Sequence, residues 1–513
     1  MFAVQLQQFR AEPSADRPWQ NVVELVLDRA RRSPAAPAFV LPGAEGVRVV
    51  RYGDVAARTA EYVARLDAAG VGPGARVLLL MRPDADLYAL VLAVLAGGMT
   101  LVVVDGNAGA RRILGLLDAA TPDAVIASPS LMRWWPLSRA LRRAKRFTIA
   151  GTVPGARRFD RIAPRRPMQL GSIALAPDAP AIVSFSSGKT GSSKAIMRTH
   201  GVLIAQHRAL CATVRLDAGD VNLPGFPLAT LHNLCCGTTS IIPAADLRAM
   251  AAAEPAAIAA LIERHGVTSL SGAPAYFRNL ARHFLEHGAP AMSVRELVVG
   301  GGPVGRALCA DIRRAFPRAN ARIVYGATEA EPIACVPVDD VAATRDRDGF
   351  LVGQPVDGTE ICLLDENGNR ASIGEVAVRG RQVASRGEWH RTGDIGRFDT
   401  DGRLWLLGRI EADVVHQGCT LHPYAVEAEA LSLPGVRAAA LVAHWRAPDG
   451  ELVIEADPGV DDGILLRDMR VLLAGRGLPE LSVRVMDAIP MDARHGSKVA
   501  RQALVALLEQ EGR

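Results

Sequence analysis

The sequence has little of what disulfide-rich, metal-binding or nucleic-acid-binding proteins usually show. It contains seven cysteines, an odd number, and only Cys235 and Cys236 are adjacent. No CxxC pair occurs, so the spacing supports neither a disulfide framework nor a zinc site, and a reduced, cytoplasmic compartment fits best. The net charge of +5 is small for 513 residues. It gives no reason to expect a nucleic-acid partner.

Long apolar segments are also scarce. The N-terminal residues carry polar side chains throughout and lack the apolar core of a signal peptide. The longest apolar run, Leu87 to Val104, approaches the length of a membrane span, but Gly97 and Gly98 divide it. An Ala/Leu-rich helix followed by a Val-rich strand is therefore predicted to be buried in the protein, without an integral membrane segment.

Helix-like and strand-like segments alternate along much of the chain. The alternation between Tyr52 and about residue 130, and again from Ala181 to about Glu329, predicts parallel βαβ units. Short strands separated by turn residues follow residue 350, and the end of the chain alternates again. No internal repeat is present. The predicted fold class is α/β, with a β-rich segment and a small α+β domain at the C-terminal end.

A basic segment, LSRALRRAKR from Leu137 to Arg146, is predicted to be a helix. Its arginines indicate either an ordinary solvated face or a surface that docks a partner or a membrane surface.

The stretch FSSGKTGSSK, from Phe185 to Lys194, contains a Gly-Lys-Thr tripeptide. A Walker A loop would need a glycine where Val183 stands, and a helix where the chain continues with strand-like AIM. The hydroxyls, backbone N–H groups and a lysine can instead form a nest for anionic oxygens. The alternative is a solvated Ser/Gly loop.

A second glycine-rich stretch, GGGPVG from Gly300 to Gly305, satisfies the GxGxxG pattern. A dinucleotide site also needs an acidic residue at the end of the next strand, and that strand ends here in Tyr325 and Gly326. NAD binding is therefore disfavoured.

Five motifs in fixed order resemble the core motifs of adenylate-forming enzymes, the superfamily of acyl-CoA synthetases, luciferases and peptide-synthetase adenylation domains. They are FSSGKTGSSK, then YGATEA at Tyr325–Ala330, HRTGDIGRF at His390–Phe398, LLGRIEADVVHQG at Leu406–Gly418 and HGSKVAR at His495–Arg501. The resemblance runs from Tyr52 onward. It implies that ATP activates a carboxylic acid as an acyl-adenylate, with release of pyrophosphate.

The resemblance also implies a domain division and a metal ion. A large N-terminal domain, residues 1–409, would hold two α/β subdomains and a β-rich subdomain. A small mobile α+β domain, residues 410–513, would carry the catalytic lysine. Because two anions meet at the α-phosphorus, the reaction needs positive charge and a metal ion, and Mg²⁺ is implied.

Site residues follow from the same resemblance. Tyr325 would stack on adenine, Asp394 would accept from both ribose hydroxyls, and Glu329 would hold Mg²⁺. The implied catalytic residues are Lys194, Thr328, Glu329 and Lys498. The implied ATP-binding residues are Ser186, Ser187, Gly188, Thr190, Gly191, Gly301, Gly302, Pro303, Tyr325, Gly326, Asp394 and Arg409.

Several positions depart from the superfamily pattern. Lys189 stands in place of a hydroxyl residue and Ser193 in place of the common proline. Glu411 replaces an aspartate at the implied hinge, and Val415 replaces a lysine. HGSK has one residue inserted relative to the usual Gly-Lys, although Arg501 preserves the Lys-x-x-Arg spacing.

The implied acid-binding stretch is LPGFPLATLHNLCCG, from Leu223 to Gly237, and it contains no acidic residue. Amino-acid-activating relatives pair an aspartate with the substrate ammonium, so a free α-amino acid is disfavoured. The candidate substrate-binding residues are Phe226, His232, Asn233 and Ala327.

This stretch and the neighbouring motifs look closest to olefin β-lactone synthetases. Those enzymes adenylate a β-hydroxy acid, whose own hydroxyl then displaces AMP to close a β-lactone, without CoA. The alternative is an acyl-CoA synthetase or acyl–carrier-protein ligase, in which CoA or a carrier protein is the acceptor. A non-catalytic nucleotide-binding scaffold is the remote alternative. The expected partners are a small carboxylic acid and other enzymes of the same pathway.

Overall fold

The computed structural model describes residues 21–43, 46–104, 110–164, 175–187, 193–243, 250, 252–344, 348–385, 389–492 and 496–510. The chain divides into two compact units. The first comprises Met1–Leu247 with Val267–Ser269, and the second comprises Arg248–Gly266 with Leu270–Arg513. The predicted functional boundary after residue 409 lies inside the second unit and stays a prediction.

The first unit contains eight helices and eleven strands among its described residues. The helices are α1 (Val23–Arg32), α2 (Tyr52–Ala68), α3 (Ala85–Ala96), α4 (Ala110–Ala120), α5 (Pro129–Met132), α6 (Arg139–Arg143), α7 (His200–Thr213) and α8 (Ala229–Cys236). The strands are β1 (Pro37–Gly43), β2 (Gly46–Arg51), β3 (Arg76–Leu80), β4 (Thr100–Val103), β5 (Ala124–Ala127), β6 (Lys145–Thr148), β7 (Arg157–Arg158), β8 (Pro180–Ser187), β9 (Ser193–Thr199), β10 (Val221–Pro224) and β11 (Thr239–Ile241). Short 3-10 turns cover Trp135–Leu137 and Phe159–Arg161.

A seven-stranded sheet in this unit has the order β7-β6-β5-β3-β4-β8-β9. All neighbours are parallel except β9, which returns antiparallel to β8. Helix α3 and strand β4 follow one another on either side of Gly97 and Gly98, as the sequence predicts, and both are largely buried. The predicted βαβ alternation is confirmed. Among the described residues, no helix combines the length and apolar character needed to cross a bilayer.

One sequence prediction in this unit is wrong. The helix expected over Leu137–Arg146 is only one turn long, because α6 ends at Arg143 and strand β6 begins at Lys145. Pairing of β6 with the buried strand β5 overrides the helical preference of the arginine-rich stretch.

The second unit contains seven helices and, with β12 starting at its boundary, fourteen strands among its described residues. The helices are α9 (Pro255–His265), α10 (Pro274–Glu286), α11 (Arg306–Ala315), α12 (Val338–Ala343), α13 (Pro423–Ala430), α14 (Asp462–Gly475) and α15 (Arg501–Gln510). The strands are β12 (Ser269–Gly272), β13 (Glu296–Gly300), β14 (Asn320–Ala327), β15 (Ala330–Pro337), β16 (Phe350–Pro355), β17 (Thr359–Leu364), β18 (Ile373–Gly380), β19 (His390–Phe398), β20 (Leu404–Arg409), β21 (Val414–His416), β22 (Cys419–Leu421), β23 (Val436–His444), β24 (Ala447–Ala456) and β25 (Ser482–Met486). A 3-10 turn covers Ile410–Ala412.

The strands from β13 to β20 lie side by side in the order β17-β18-β19-β20-β16-β15-β14-β13. The predicted change to short strands after residue 350 is confirmed. Only β13 and β14 are parallel in this group, and the other neighbouring strands pair antiparallel.

The C-terminal part of this unit is a three-stranded sheet, β23-β24-β25, with helices on both faces. Leu441 and Ile454 face α14, whereas Ala440 and Val453 face α15, so alternate residues of β23 and β24 serve two separate cores. The predicted α+β character of this segment is confirmed.

Candidate active site

The best-defined part of the candidate site is built on Asp394 of β19. Asp394 is buried, with 8% of the residue exposed. Tyr325, in β14, donates its hydroxyl hydrogen to Oδ2 across 2.7 Å. Arg409, the last residue of β20, lies directly opposite Asp394 in the antiparallel register, with 3.2 Å between Nη1 and Oδ1. Three of the residues that the sequence singles out are thus brought into contact.

The backbone around Asp394 explains why glycine precedes it. Gly393 has a φ of +78°, and a Cβ built on it would lie 3.0 Å from Arg409 Nη2. Any larger residue would be strained by this backbone conformation and would crowd the guanidinium. The Gly393 N–H donates to Glu375 Oε1 at 3.0 Å, and the Asp394 N–H donates to Thr392 Oγ1 at 3.1 Å.

Glu375 and Thr392 therefore position the Asp394 backbone, and sequence reasoning assigned neither of them a role. Thr392 lies inside the RTGD motif and could have been found there. Glu375 lies on β18, and no local sequence signal marks it.

Burial and the Asp394 carboxylate together set the charge states of Tyr325 and Arg409. Burial and the Asp394 carboxylate together raise the pKa of Tyr325 well above its usual range, so the phenol stays a donor. Burial lowers and the Asp394 carboxylate raises the pKa of Arg409, with a net upward shift, so the guanidinium stays charged. The cluster offers an acceptor carboxylate beside a fixed cation.

Thr328 and Glu329 form the turn of the hairpin that joins β14 to β15. Both side chains are half-buried. The Glu329 carbonyl oxygen accepts from the Ala384 N–H at 2.6 Å, which anchors the turn to the segment after β18. A hydroxyl and a carboxylate at one turn supply the oxygen ligands that Mg²⁺ prefers.

The glycine-rich turn after β13 lies against the loop that carries Lys498. A Cβ on Gly302 would lie 2.8 Å from Ser497 Cβ and 3.0 Å from the Ser497 carbonyl oxygen, so only glycine permits this approach. Ser497 Oγ also accepts from the Ala275 N–H at 3.0 Å. The glycine-rich turn predicted to bind ATP and the loop predicted to carry the catalytic lysine are therefore neighbours in the second unit.

Asp492 fixes the backbone of that loop. Its Oδ1 accepts from the N–H groups of Ser497 and Lys498, at 3.0 and 2.8 Å, and its own N–H donates to the Lys498 carbonyl oxygen at 2.8 Å. The Lys498 residue is exposed. The result is a lysine on a rigid backbone with a solvent-accessible side chain.

Arg501 contributes to the packing of the C-terminal part of the second unit. Its guanidinium lies 2.6 Å from Glu427 Oε1, a residue 3% exposed, and donates to the Leu441 carbonyl oxygen at 2.7 Å. The pair ties α15 to α13 and β23. The Lys-x-x-Arg spacing thus places its arginine in the packing of the C-terminal segment.

The residues of the implied hinge are at the surface. The Glu411 side chain is 58% exposed, and its Oε1 lies 3.6 Å from Arg409 Nε. Val415, on β21, is 57% exposed.

The predicted phosphate loop joins β8 to β9. The strand expected after Lys194 is confirmed, since β9 runs from Ser193 to Thr199. Gly188, Lys189, Thr190 and Gly191 lie outside the described residues, as do the side chains of Ser186, Ser187, Ser193 and Lys194.

The predicted acid-binding stretch forms β10, a loop and helix α8. Phe226 is half-buried in that loop, and Ala327 is half-buried at the end of β14. Asn233 is 2% exposed and donates both amide hydrogens inside the first unit, to Asn222 Oδ1 at 2.9 Å and Ser240 Oγ at 3.0 Å. This use of the amide suits a structural role better than substrate binding.

His232 lies in a cluster with His207, Cys211 and Cys236. A hydrogen bond with the Cys236 thiol lowers the pKa of Cys211 to about 5, and burial lowers the pKa of His232 to about 3. CxxC spacing does not mark this cluster. The signal was a repeated His-x-x-x-Cys pattern, at 207–211 and 232–236, which places both residues of each pair on one helix face.

Comparisons with known proteins bear on the family and the fold of the chain. A family model described as AMP-binding enzyme matches residues 26–386. Two proteins named olefin beta-lactone synthetase, from Stenotrophomonas maltophilia and Xanthomonas campestris pv. campestris, are 29% and 30% identical to the chain. Each match covers 96% of this chain and 98% of the relative.

Among solved structures, the amide bond synthetase McbA from Marinactinospora thermotolerans has a TM-score of 0.79 at 23% identity. That match covers 95% of this chain and 99% of McbA. It confirms the mixed α/β fold over nearly the full length.

Proposed function

Because this chain belongs to the AMP-binding enzyme family and is an ATP-dependent adenylate-forming ligase, we propose that it activates a β-hydroxy fatty acid and closes it to a β-lactone. The two olefin beta-lactone synthetases, similar along almost the entire chain, are the observation that carries the proposal. The absence of an acidic residue in Leu223–Gly237 supports an acid without an ammonium group.

In the first step, a carboxylate oxygen of the acid attacks the α-phosphorus of ATP and pyrophosphate leaves. We assign Asp394 to the ribose hydroxyls, since its carboxylate is buried and held by two donors. Tyr325 is assigned to the adenine ring. Lys194 and Lys498 are assigned to the phosphate and carboxylate charges, which a fixed cation stabilises in the transition state.

Mg²⁺ is part of the proposal, with Glu329 as its ligand and Thr328 as a donor to the α-phosphate. When bound, the ion would neutralise charge on the phosphate oxygens. The turn between β14 and β15 suits this assignment. The hydrogen bond from the Ala384 N–H to the Glu329 carbonyl oxygen fixes the backbone of the turn, and it does not involve the Glu329 carboxylate.

In the second step, the β-hydroxyl oxygen attacks the acyl carbon, the acyl–phosphate C–O bond breaks, and AMP leaves. The hydroxyl proton leaves with the phosphate group of AMP. The overall products are the β-lactone, AMP and pyrophosphate. Ring closure requires the hydroxyl within about 3–3.5 Å of the acyl carbon and water kept out.

Phe226 and Ala327 are the side chains we assign to the acid. His232 and Asn233 were also predicted for this role. Asn233 has both amide hydrogens engaged, and His232 faces a second histidine. Their effect on ring closure is therefore expected to be indirect.

The proposal also covers the cellular compartment and the partner enzymes. A reaction that consumes ATP suits the cytoplasm, and enzymes that supply the β-hydroxy acid and consume the lactone would be its pathway partners.

The test incubates the protein with ATP, Mg²⁺ and a racemic 3-hydroxy fatty acid, without CoA. AMP release is followed over time, and products are identified by NMR and mass spectrometry. The matched control is the fatty acid of equal length without the hydroxyl. We expect repeated AMP release and a β-lactone from the hydroxy acid, and a stalled or slowly hydrolysed adenylate from the control. Multiple turnovers on the plain acid that depend strictly on CoA would identify an acyl-CoA synthetase instead.

A further inference from the structure

Two neighbouring helices of the first unit each carry a histidine and a cysteine four residues apart. Helix α7 provides His207 and Cys211, and helix α8 provides His232 and Cys236. Residues four apart share one helix face, so each helix presents an imidazole and a thiol side by side. The four side chains converge, although no part of the adenylation chemistry requires them.

The separations are of the size that a small tetrahedral site requires. The Sγ atoms of Cys211 and Cys236 are 3.9 Å apart, and the Nδ1 atoms of the two histidines are 3.0 Å apart. Each histidine also lies near the thiol of its own helix: Cys211 Sγ is 4.0 Å from Nδ1 and 3.6 Å from Nε2 of His207, and Cys236 Sγ is 3.5 Å from Nε2 of His232. A histidine binds one ion through one nitrogen, so the Nδ1 and Nε2 distances belong to alternative donor sets. With Zn–S of about 2.3 Å and Zn–N of about 2.0–2.1 Å, a tetrahedral site has edges of about 3.8 Å for S–S, 3.3 Å for N–N and 3.6 Å for N–S.

One donor atom taken from each residue gives a set lying within 4.8 Å of one another. The longest separation exceeds the largest tetrahedral edge by about 1 Å, a gap that side-chain rotation can close. Cys236 is buried, the two histidines are half-buried and Cys211 is exposed, so the cluster has one open side through which an ion can enter.

We propose that His207, Cys211, His232 and Cys236 form a tetrahedral binding site for a thiophilic divalent metal ion, with Zn²⁺ as the preferred occupant. Two thiolates would balance the charge of the ion. Because all four positions are filled by protein ligands, the site is structural and leaves no position for a reacting water. It would fasten α8 to α7 and so stabilise the predicted acid-binding stretch.

A disulfide between Cys211 and Cys236 is the competing use of the same atoms. The sulfurs lie 3.9 Å apart, well beyond the bond length of about 2.05 Å. A disulfide would also leave both histidines without a role. The metal site accounts for all four residues.

The experiment uses the full chain, purified under reducing conditions, stripped with a chelator and titrated with Co²⁺. We expect one equivalent of Co²⁺ to give the visible bands of tetrahedral coordination together with sulfur-to-metal charge transfer. Zn²⁺ should bleach both, and elemental analysis of unstripped protein should find about one zinc per chain. Added Zn²⁺ should raise the Tm of the stripped protein.

Cys211→Ser and His207→Asn are the test variants, with Cys419→Ser and His287→Gln as matched controls outside the cluster. Removal of a residue that only hydrogen-bonds to a metal ligand weakens metal affinity by roughly 10–100-fold. Loss of one of the ligands themselves should weaken it by more than that. The controls should bind as the native chain does.

Three results would overturn the proposal. They are a wild-type Co²⁺ spectrum without sulfur charge transfer, metal binding unchanged in both test variants, and a Cys211–Cys236 disulfide in metal-free protein isolated without reductant. The wild-type spectrum decides the question even if a variant fails to fold.

Discussion

Asp394 and Arg409 are paired directly across two antiparallel strands, with 3.2 Å between the carboxylate Oδ1 and the guanidinium Nη1. Strand register sets this pair, because the RTGD motif and the LLGR motif end opposite each other on β19 and β20. Tyr325 holds the second carboxylate oxygen at 2.7 Å. The carboxylate is thus oriented by the fold before any nucleotide arrives.

Asp394→Asn should raise the KM for ATP. The amide cannot accept from both ribose hydroxyls as the carboxylate is predicted to do, and it removes the negative charge that lies beside Arg409. Hydrogen bonds to a charged group contribute about 1.5–3 kcal/mol, which corresponds to about a 10–100-fold change. ATP–pyrophosphate exchange measures the effect. Asp401→Asn, on an exposed turn, is the control, and an unchanged KM in folded Asp394→Asn would remove the ribose assignment.

Tyr325→Phe and Tyr325→Ala separate two roles of one side chain. The phenylalanine variant keeps the ring and loses only the bond to the Asp394 carboxylate, and loss of a hydrogen bond to a charged group costs about 1.5–3 kcal/mol, or at most about a 10–100-fold rise in KM. The alanine variant also loses the face on which adenine is predicted to stack, so its KM should rise further. Isothermal titration with ATP compares the two. Equal losses in both variants would mean that the ring contributes nothing to nucleotide binding.

The two lysines of the predicted phosphate loop should behave differently. Lys194→Ala should weaken ATP use, because only Lys194 occupies a superfamily phosphate position. Lys189→Ser restores the common residue and should leave adenylation largely intact. Pyrophosphate release with saturating acid is the measurement. The opposite pattern, with Lys189→Ser inactive and Lys194→Ala unaffected, would show that the loop register is misassigned.

Lys498→Ala should lower the adenylation rate by about 10²–10³, the usual loss for one preorganised charge-stabilising donor. ATP affinity should change less, since Asp394 and Tyr325 hold the nucleoside. The chain has four lysines, and Lys145 alone lies outside the predicted motifs. Lys145→Ala is therefore the control for loss of a lysine charge. Single-turnover formation of acyl-adenylate tests the role, which unchanged rates in Lys498→Ala would eliminate.

His200 should make the protein less stable in mild acid. The residue is fully buried, neither ring nitrogen has a hydrogen-bond partner among the described residues, and burial lowers its pKa from 6.5 to about 4. Between pH 4 and pH 6.5, the unfolded state therefore binds a proton at His200 more readily than the folded state does. Stability is full above pH 6.5 and falls as the pH drops towards 4, by up to about 3 kcal/mol.

The measurement is the unfolding free energy in urea near neutral pH and at about pH 5. His200→Gln, which does not titrate, should lose less stability over this interval than the native chain. Identical pH dependence in the two proteins would mean that His200 takes up its proton in the folded state.

The sequence alone was enough to establish the class of the fold and the order of its parts. Hydrophobic periodicity and glycine punctuation are local properties, so α3, the turn at Gly97 and β4 could be predicted without tertiary information. Motifs such as RTGD and YGATEA could be recognised for the same reason, since each is a short contiguous segment that resembles a motif of adenylate-forming enzymes. The order of five such motifs pointed to adenylate formation.

Only the tertiary structure decided the contacts between segments that lie far apart in the sequence. Strand pairing shortened the helix at Arg139–Arg143, and register placed Asp394 opposite Arg409. Buried neighbours engaged Asn233, and the packing of α7 on α8 assembled two histidines and two cysteines from separate segments. These outcomes depend on contacts between residues far apart in sequence, whose energies a local pattern does not contain.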